Sequence, residues 1–421
     1  MKDERKCFGR CLVVKFGGSS LADEAKLGKA ARAVAKEAAK DTRIVVVVSA
    51  MGKTTDFLIE TAKKACRGRI SDDALDDLLS MGERTSARMF TTALKANNVE
   101  CRYLDPAEPD WPIITDGCFN NAKPILSTCE KLVKKHVLPL LEQGTVVVVP
   151  GFIGKTKDGK MTTMGRGGSD TTAFILAQAL RANQIILVTN VDGVMTADPK
   201  IIKNPQRLKE IHANTLVGLA DSGTKFIHKK ALRYKDPDID VKVINHAWGD
   251  LNSEGTTIHG SLSNNVAVET VYPPPTMSIT IVGKGLSEAP EILQKILQRI
   301  KDSEVPIHGV SIDRNSLILY LPQNGTDELL ETLHAIVLDH EQTLAMAVRK
   351  KLAFIQVKGA GLEETPGIVS KIAESLYSEH INIFGIFTIT SSVLVFVDVE
   401  DMKRTVELIR KSIKANSDNE K

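Results

Sequence analysis

Several short stretches of this 421-residue chain crowd glycine, hydroxyl, cationic and carboxylate side chains into single turns. The densest is Thr162-Thr163-Met164-Gly165-Arg166-Gly167-Gly168-Ser169-Asp170, between a valine-rich strand and an apolar helix. Glycines let the backbone approach a ligand closely. Arg166 offers a planar fork for a carboxylate or phosphate, and a helix opened by Ser169 and Asp170 attracts anions at its N-terminus. Lys15-Phe16-Gly17-Gly18-Ser19-Ser20 places a lysine at a strand end before a glycine turn. Backbone N–H groups of such a turn cradle oxyanions, and Lys15 adds a mobile positive charge where negative charge builds up. Ser49–Thr55 reads as a second ligand loop, or as a helix capped by Thr54 or Thr55. Gly82-Glu83-Arg84 either sets a carboxylate at a site or is a tolerated helical glycine beside a solvated charge pair. Thr189–Pro199 follows another strand, with Asp-Gly and Asp-Pro turn signals. Gly223-Thr224-Lys225 opens a helix, and Lys225 is a candidate phosphate partner. Gly52-Lys53-Thr54 and Gly154-Lys155-Thr156 imitate the end of a P-loop, but Val47 and Val149 stand where that motif needs its first glycine.

The elements that must position these residues alternate. Strands are expected at Cys11–Phe16, Arg43–Val48, Val99–Leu104, Pro112–Thr115, Thr145–Val149, Gln184–Val188 and Val241–Asn245. Helices are expected at Ala25–Lys40, Asp56–Arg67, Ala74–Asn97, Ile125–Leu141, Ser169–Arg181 and Thr224–Tyr234. Continuous apolar strands between helices imply an α/β fold with a largely parallel sheet covered on both faces. Ligands in such sheets lie at the carboxyl ends of the strands, where four of the polar loops fall. The Gly/Lys segment before Thr162 reads as a mobile flap. After the stiff Pro273-Pro274-Pro275 linker, a βαββα pattern occurs twice, which marks a repeated module. The expected domains are 1–270, 276–346 and 350–421.

Composition excludes several classes. With 55 basic and 52 acidic residues the net charge is +3, so no strong field for nucleic acid or membrane is expected. No apolar run reaches transmembrane length, and no signal peptide is evident, which points to the cytoplasm. Six cysteines without a C-x-x-C pair read as reduced thiols. Nine scattered histidines without H-E-x-x-H make a metal held by protein side chains unexpected.

Taken in order, KFGGSS (Lys15–Ser20), VSAMGKTTD (Val48–Asp56), GER (Gly82–Arg84), GFIG (Gly151–Gly154), TTMGRGGSDTTA (Thr162–Ala173), TNVDGVMTADPK (Thr189–Lys200) and SGTKFIH (Ser222–His228) resemble the aspartate kinases, a branch of the amino-acid kinase superfamily. The two C-terminal repeats resemble the family's ACT modules, ferredoxin-like units of the βαββαβ type. The short span between Thr55 and Gly82 resembles the compact, monofunctional form.

The resemblance implies ATP-dependent phosphorylation of the aspartate side-chain carboxylate, with Mg²⁺ arriving on ATP, held mostly by phosphates and water. A carboxylate is already a nucleophile, so positioning and charge neutralisation are the main demands. By resemblance Lys15 stabilises the transferring phosphoryl group, helped by the N–H groups of Gly17 and Gly18, with Ser19 at the ATP, and Asp170 orients the lysines. Arg166 binds a substrate carboxylate, Glu83 meets the substrate ammonium, and Ser49, Thr55 and Ser169 are hydroxyl partners. Thr189, Asn190, Met195, Asp198, Lys200 and Lys225 are implied at the nucleotide. The family further implies a lysine or threonine effector and a homodimer or higher homo-oligomer through the ACT modules. The chain departs from the family pattern at Asn190 (generally Asp), Met195 (often Tyr), Lys200 (usually Arg) and Lys229 (commonly Pro), all near the nucleotide, and at Thr388–Ser392 in the second module. Two alternatives are a glutamate-type amino-acid kinase and a catalytically silent amino-acid sensor.

Overall fold

Runs such as Ile44–Val48 and Val146–Val149 are fully or almost fully buried, as strands covered on both faces must be. The computed structural model describes residues 9–199, 201–220, 227–262, 267–270, 275–359, 367–389 and 392–419. The chain divides into two compact units, Met1–Ser263 and Asn264–Lys421.

The first unit contains β1 (Cys11–Phe16), β2 (Arg43–Val48), β3 (Cys101–Tyr103), β4 (Val146–Pro150), β5 (Ile153–Lys155), β6 (Met161–Thr163), β7 (Gln184–Thr189), β8 (Glu210–His212), β9 (Asp240–Asn245) and β10 (Thr256–His259). Its helices are α1 (Glu24–Ala38), α2 (Thr54–Ala65), α3 (Asp72–Lys95), α4 (Leu126–Leu132), α5 (Leu138–Glu142), α6 (Gly168–Leu180), α7 (Ala213–Ala220) and α8 (Lys229–Leu232). Eight strands form one sheet in the order β3-β4-β2-β1-β7-β9-β10-β8. Its pairings are parallel except that of β9 with β10. Central β1 ladders on both sides, with Lys15 opposite Val47 on β2 and Leu187 on β7. Helix α6 buries almost its whole surface, which explains why it reads as apolar all round.

Four expectations are corrected here. Pro112–Thr115 is not a strand; it makes only isolated bridges, Ile114 with Lys155 and Thr115 with Pro124. The helix expected over Ile125–Leu141 is interrupted by a π turn at Val133–Val137. Pro139 follows, which has no N–H to donate, and the widened turn absorbs the missing bond. The supposed flap is the hairpin β5–β6. Lys155, its misleading lysine, donates to the carbonyls of Pro106 (2.8 Å) and Glu108 (2.9 Å). The Thr115 and Thr162 hydroxyls pair at 2.6 Å, so the segment is tied down at both strands. Most of the span expected as helix Thr224–Tyr234 is either outside the described residues or turn, and only Lys229–Leu232 is helical.

The second unit holds β11 (Ala267–Thr270), β12 (Thr276–Gly283), β13 (Gly309–Ile312), β14 (Ser316–Pro322), β15 (Thr343–Lys358), β16 (Gly385–Ile389) and β17 (Ser392–Asp398), with α9 (Pro290–Asp302), α10 (Asp327–Asp339), α11 (Ile368–Tyr377) and α12 (Met402–Asn419). One seven-stranded sheet contains both repeats. Strand β15 is shared: its first half pairs with β12 and its second, Leu352–Lys358, with β17. A bulge and a left-handed Lys351 (φ 62°) mark the junction. The order β13-β14-β12-β15 in the first repeat is matched by β16-β17-β15-β11 in the second. Strand β11 therefore completes the second repeat from a position before the first, and the repeats are interleaved rather than consecutive. The boundary expected at 270 is thus too late, because Ala267–Thr270 belongs to the second unit, and the 346/350 boundary falls inside a continuous strand.

Alternation along these strands separates two cores. Met277, Ile279, Ile281, Leu317 and Leu319 pack with α9 and α10 residues, and Ala353, Ile355, Val393 and Val395 with α11 and α12 residues. The intervening residues Tyr320, Phe354 and Phe396 form an aromatic stack, with centroids 4.0 Å (Tyr320–Phe396) and 4.8 Å (Phe354–Phe396) apart. The Tyr320 hydroxyl donates to the Phe384 carbonyl at 2.7 Å, so residues of the two repeats are joined by packing as well as by β15.

Candidate active site

A lysine in a central parallel strand needs a counter-charge, because its neighbours are buried valines. Lys15 finds one in Asp170: its Nζ lies 2.6 Å from Oδ1, with side-chain exposures of 14% and 7%. Asp170 occupies the third position of α6, where the positive end of the helix also favours a carboxylate. The pair brings the KFGGSS and GRGGSD stretches together at the carboxyl edge of the sheet, as their spacing after β1 and before α6 implied.

The glycine turn after β1 is shaped by close approaches. A Cβ on Gly18 would lie 2.6 Å from the Ala50 carbonyl oxygen, and Gly52 N–H donates to Gly18 O at 3.0 Å. The loops after β1 and β2 are therefore zipped together. Gly17 does not offer its N–H to a ligand, as expected from sequence; it donates to Val188 O at 3.1 Å. Gly18 and Ser19 head the short 3₁₀ turn Gly18–Leu21, whose first N–H groups have no acceptor within the turn. Ser19 is exposed, whereas Ser20 is buried and donates to Val188 O at 3.1 Å. We expect Gly18→Ala to lose about 1–3 kcal/mol through forced separation of the two loops, read as a melting temperature lower by several degrees in thermal denaturation.

The loop after β2 extends the site. Ser49 Oγ donates to Ser169 Oγ at 3.0 Å, one residue before Asp170. A Cβ on Gly151 would come within 2.7 Å of Ser169 Cβ, so the end of β4 also packs against this turn. Gly82 lies inside α3, where glycine costs about 1 kcal/mol. A Cβ there would sit 3.0 Å from Ala50 Cβ, so the glycine lets α3 press against the loop after β2. The next residue, Glu83, is 4% exposed, and its carboxylate accepts the Ala50 N–H. Burial pushes the Glu83 carboxyl up to about 7, against the pull of the Ala50 and Glu83 N–H groups. Among the described residues its Oε2 has no hydrogen-bond partner. An enclosed carboxylate oxygen of this kind has the chemistry to accept a cationic or N–H-bearing group. Contacts thus run continuously from Glu83 through Ala50, Ser49 and Ser169 to Asp170 and Lys15.

Arg166 lies on the loop between β6 and α6 and is exposed. Among the described residues it forms no ion pair and does not bond Glu83, which leaves its guanidinium and the Glu83 carboxylate as separate groups. Thr55 is half-buried in the first turn of α2. Around Arg166 the backbone depends on glycine. Gly167 has φ 78°, and a Cβ there would meet His228 Cβ at 2.5 Å. Lys230 also braces this loop, donating to Met164 O at 2.7 Å. Burial lowers its pKa, with Arg233 and Lys123 adding to the effect.

Thr189 ends β7, and Asn190, Met195 and Asp198 lie on the loop that follows it. Thr189 Oγ1 donates to Asn190 Oδ1 at 3.3 Å. Two residues that motif reading passed over hold this loop. Thr256 on β10 accepts from Val194 N–H at 2.9 Å and donates to Leu208 O at 2.6 Å. Asn245, ending β9, donates to Asp192 Oδ1 at 2.9 Å. Lys200 and Lys225 lie outside the described residues. Among the described residues, no group of three or more His, Cys, Asp or Glu side chains could hold a metal ion, and no helix is long and apolar enough to cross a membrane.

Comparison with known proteins agrees with this fold. The model of the Amino acid kinase family matches residues 10–245 and that of the ACT domain residues 347–411. Aspartokinase 2 of Bacillus subtilis (strain 168) is 30% identical over 406 residues, covering 94% of this chain and 96% of that protein. The aspartokinase of Geobacillus stearothermophilus is 30% identical over 404 residues, covering 94% and 95%. The crystal structure of aspartate kinase from Synechocystis superposes with a TM-score of 0.77 at 25% identity, over 95% of this chain and 69% of that one. E. coli aspartokinase III in complex with aspartate and ADP shares the fold, with a TM-score of 0.54 at 24% identity over 96% of this chain and 99% of that one.

Proposed function

Because the chain belongs to the amino acid kinase family, on its aspartokinase branch, we propose that it transfers the γ-phosphoryl group of ATP to the side-chain carboxylate of L-aspartate, giving 4-phospho-L-aspartate. The observation that carries this reading is the enclosed Glu83 oxygen, without a partner among the described residues and linked through Ser49 and Ser169 to the Lys15–Asp170 pair. It is what an α-ammonium requires at one end of a small acid whose other end must reach a phosphoryl-transfer centre.

In this reading Glu83 receives the substrate ammonium and Arg166 clamps a substrate carboxylate with its planar fork. Ser49, Thr55 and Ser169 supply hydroxyl contacts. Lys15 neutralises charge on the phosphoryl group in flight, with the Gly18 and Ser19 amides beside it, and Asp170 holds Lys15 in place. No general base is needed, because the acceptor is already ionised. Thr189, Asn190, Met195, Asp198, Lys200 and Lys225 are assigned to the nucleotide. Met195 gives a softer, non-aromatic contact than a tyrosine would, and Lys200 a point charge rather than a fork. Mg²⁺ is assigned to the nucleotide phosphates and water, where it neutralises charge. The interleaved ACT repeats are assigned to feedback control by lysine or threonine, and to association of a second copy.

The test is ADP release from the full chain with ATP, Mg²⁺ and aspartate, then with glutamate, with lysine and threonine added singly and together. Turnover with aspartate, at a kcat/KM at least about tenfold above that with glutamate, is the expected outcome. Preference for glutamate, or amino-acid binding by calorimetry without turnover, would overturn it.

A further inference from the structure

Asp76 is fully buried, and among the described residues no cation pairs with it. It stands on α3 two helical turns before Glu83, so the two carboxylates share one face of the helix. Its Oδ2 accepts the N–H groups of Thr163 (2.7 Å) and Asn120 (2.9 Å), and its Oδ1 accepts the Thr163 hydroxyl (2.6 Å). Each partner leads to the substrate loop. Thr163 ends β6, three residues before Arg166, and its carbonyl accepts Ala122 N–H at 2.9 Å. Asn120 O lies so close to Gly165 that a Cβ there would come within 2.9 Å. Lys230 braces the same loop by donating to Asn121 Oδ1 and Met164 O. Burying a carboxylate against neutral donors alone is an expensive way to join a hairpin to a helix. It does fix three donors at one point, with short charge-assisted bonds that leave little play.

We propose that Asp76 is a positioning residue: it locks the β5–β6 hairpin and the Asn120 turn to the helix that carries Glu83, and so sets the span between Glu83 and Arg166. This rests on the assignment of those two residues to opposite ends of the substrate. Helix α3 acts as the ruler, with Glu83 on its middle and the Arg166 loop hung from its first turns through Asp76.

The experiment compares the full-length wild type with Asp76→Asn, Thr163→Val and Thr163→Ser. KM for aspartate, KM for ATP, kcat and melting temperature are measured, with hydrogen exchange over residues 116–124 and 159–168. Misplacing a binding group by about 1 Å costs up to about a hundredfold. We therefore expect KM for aspartate to rise about tenfold or more in Asp76→Asn and less in Thr163→Val, while KM for ATP stays within about twofold. Thr163→Ser should retain wild-type constants, and exchange in both segments should be faster in Asp76→Asn. Folded variants with a lowered melting temperature but an unchanged KM for aspartate would overturn the proposal, as would a parallel rise in KM for ATP. Thr163→Val decides the matter if Asp76→Asn does not fold. A wild-type chain without aspartate turnover would overturn the substrate assignment itself and this proposal with it; wild-type turnover with unaltered variants overturns only the positioning role.

Discussion

Replacing Lys15 with alanine is expected to lower kcat by roughly a thousandfold or more, the scale seen when a cation that stabilises a transferring phosphoryl group is removed. The acceptor carboxylate and the nucleotide phosphates are all anionic, so the barrier is dominated by bringing negative charges together. Lys15 is the cation fixed at that point by β1 on one side and by Asp170, 2.6 Å away, on the other. The fold should survive. Loss of the pair leaves Asp170 7% exposed without its lysine, at a cost of up to about 3–5 kcal/mol, but the N-terminus of α6 still favours its charge. Steady-state kinetics with thermal denaturation check this. A kcat within tenfold of wild type would remove Lys15 from the reacting centre.

Glu83→Gln is expected to raise KM for aspartate roughly a hundredfold at pH 8, because it removes the charge that a buried ammonium needs. It should also change the pH profile. Burial pushes the Glu83 carboxyl from 4.5 up to about 7. Between those values the folded chain holds a proton that the unfolded chain has released, so the residue's contribution to stability falls as pH rises through this window. Over about 2.5 pH units that amounts to about 3 kcal/mol. Glutamine is neutral throughout, so the difference in unfolding free energy should shift in the variant's favour between about pH 4.5 and 7 and then stay level. Substrate binding runs the other way. The ionised carboxylate receives the ammonium, so wild-type KM for aspartate should fall as pH rises through about 7, and Glu83→Gln should lose that dependence. Stability curves and KM–pH profiles of both proteins test the two halves separately. An unchanged KM would make Glu83 a structural carboxylate.

The loops that carry chemistry were legible because their residue types are rare in plain turns and their order along the chain follows the strands. Lys15, Ser49, Ser169 and Asp170 fall where β1, β2 and α6 place them, and the boundaries of those three elements agree within a residue. What escaped notice are residues that act through neighbours. Asp76 looks like one of several acidic residues in an amphipathic helix, Thr256 like a strand hydroxyl and Lys230 like a surface lysine. Their partners, Thr163, Val194 and Met164, are separated from them by 87, 62 and 66 positions. One signal was available: Asp76 lies seven residues before Glu83, so both must share a helix face, and a buried face carrying two carboxylates asks for donors.

The repeats divide in the same way. Hydrophobic alternation and turn residues are local, so each βαββα unit could be read directly. Strand exchange is not local. That β11 completes the second repeat and that β15 serves both follows from which edges are left unpaired after folding, and hydrogen-bonding demand at an edge has no fixed sequence spacing. The same holds for the site. Residue chemistry and chain order alone established a carboxylate, a guanidinium and a lysine at the carboxyl edge of a parallel sheet. Only the three-dimensional packing decided that Glu83 would be enclosed with one oxygen unpartnered among the described residues, that Gly17 would direct its N–H to Val188 O, and that Arg166 would stand exposed on a loop braced from elsewhere. Burial and partner choice depend on segments far apart in the chain, and these set the charge state and reach of each group.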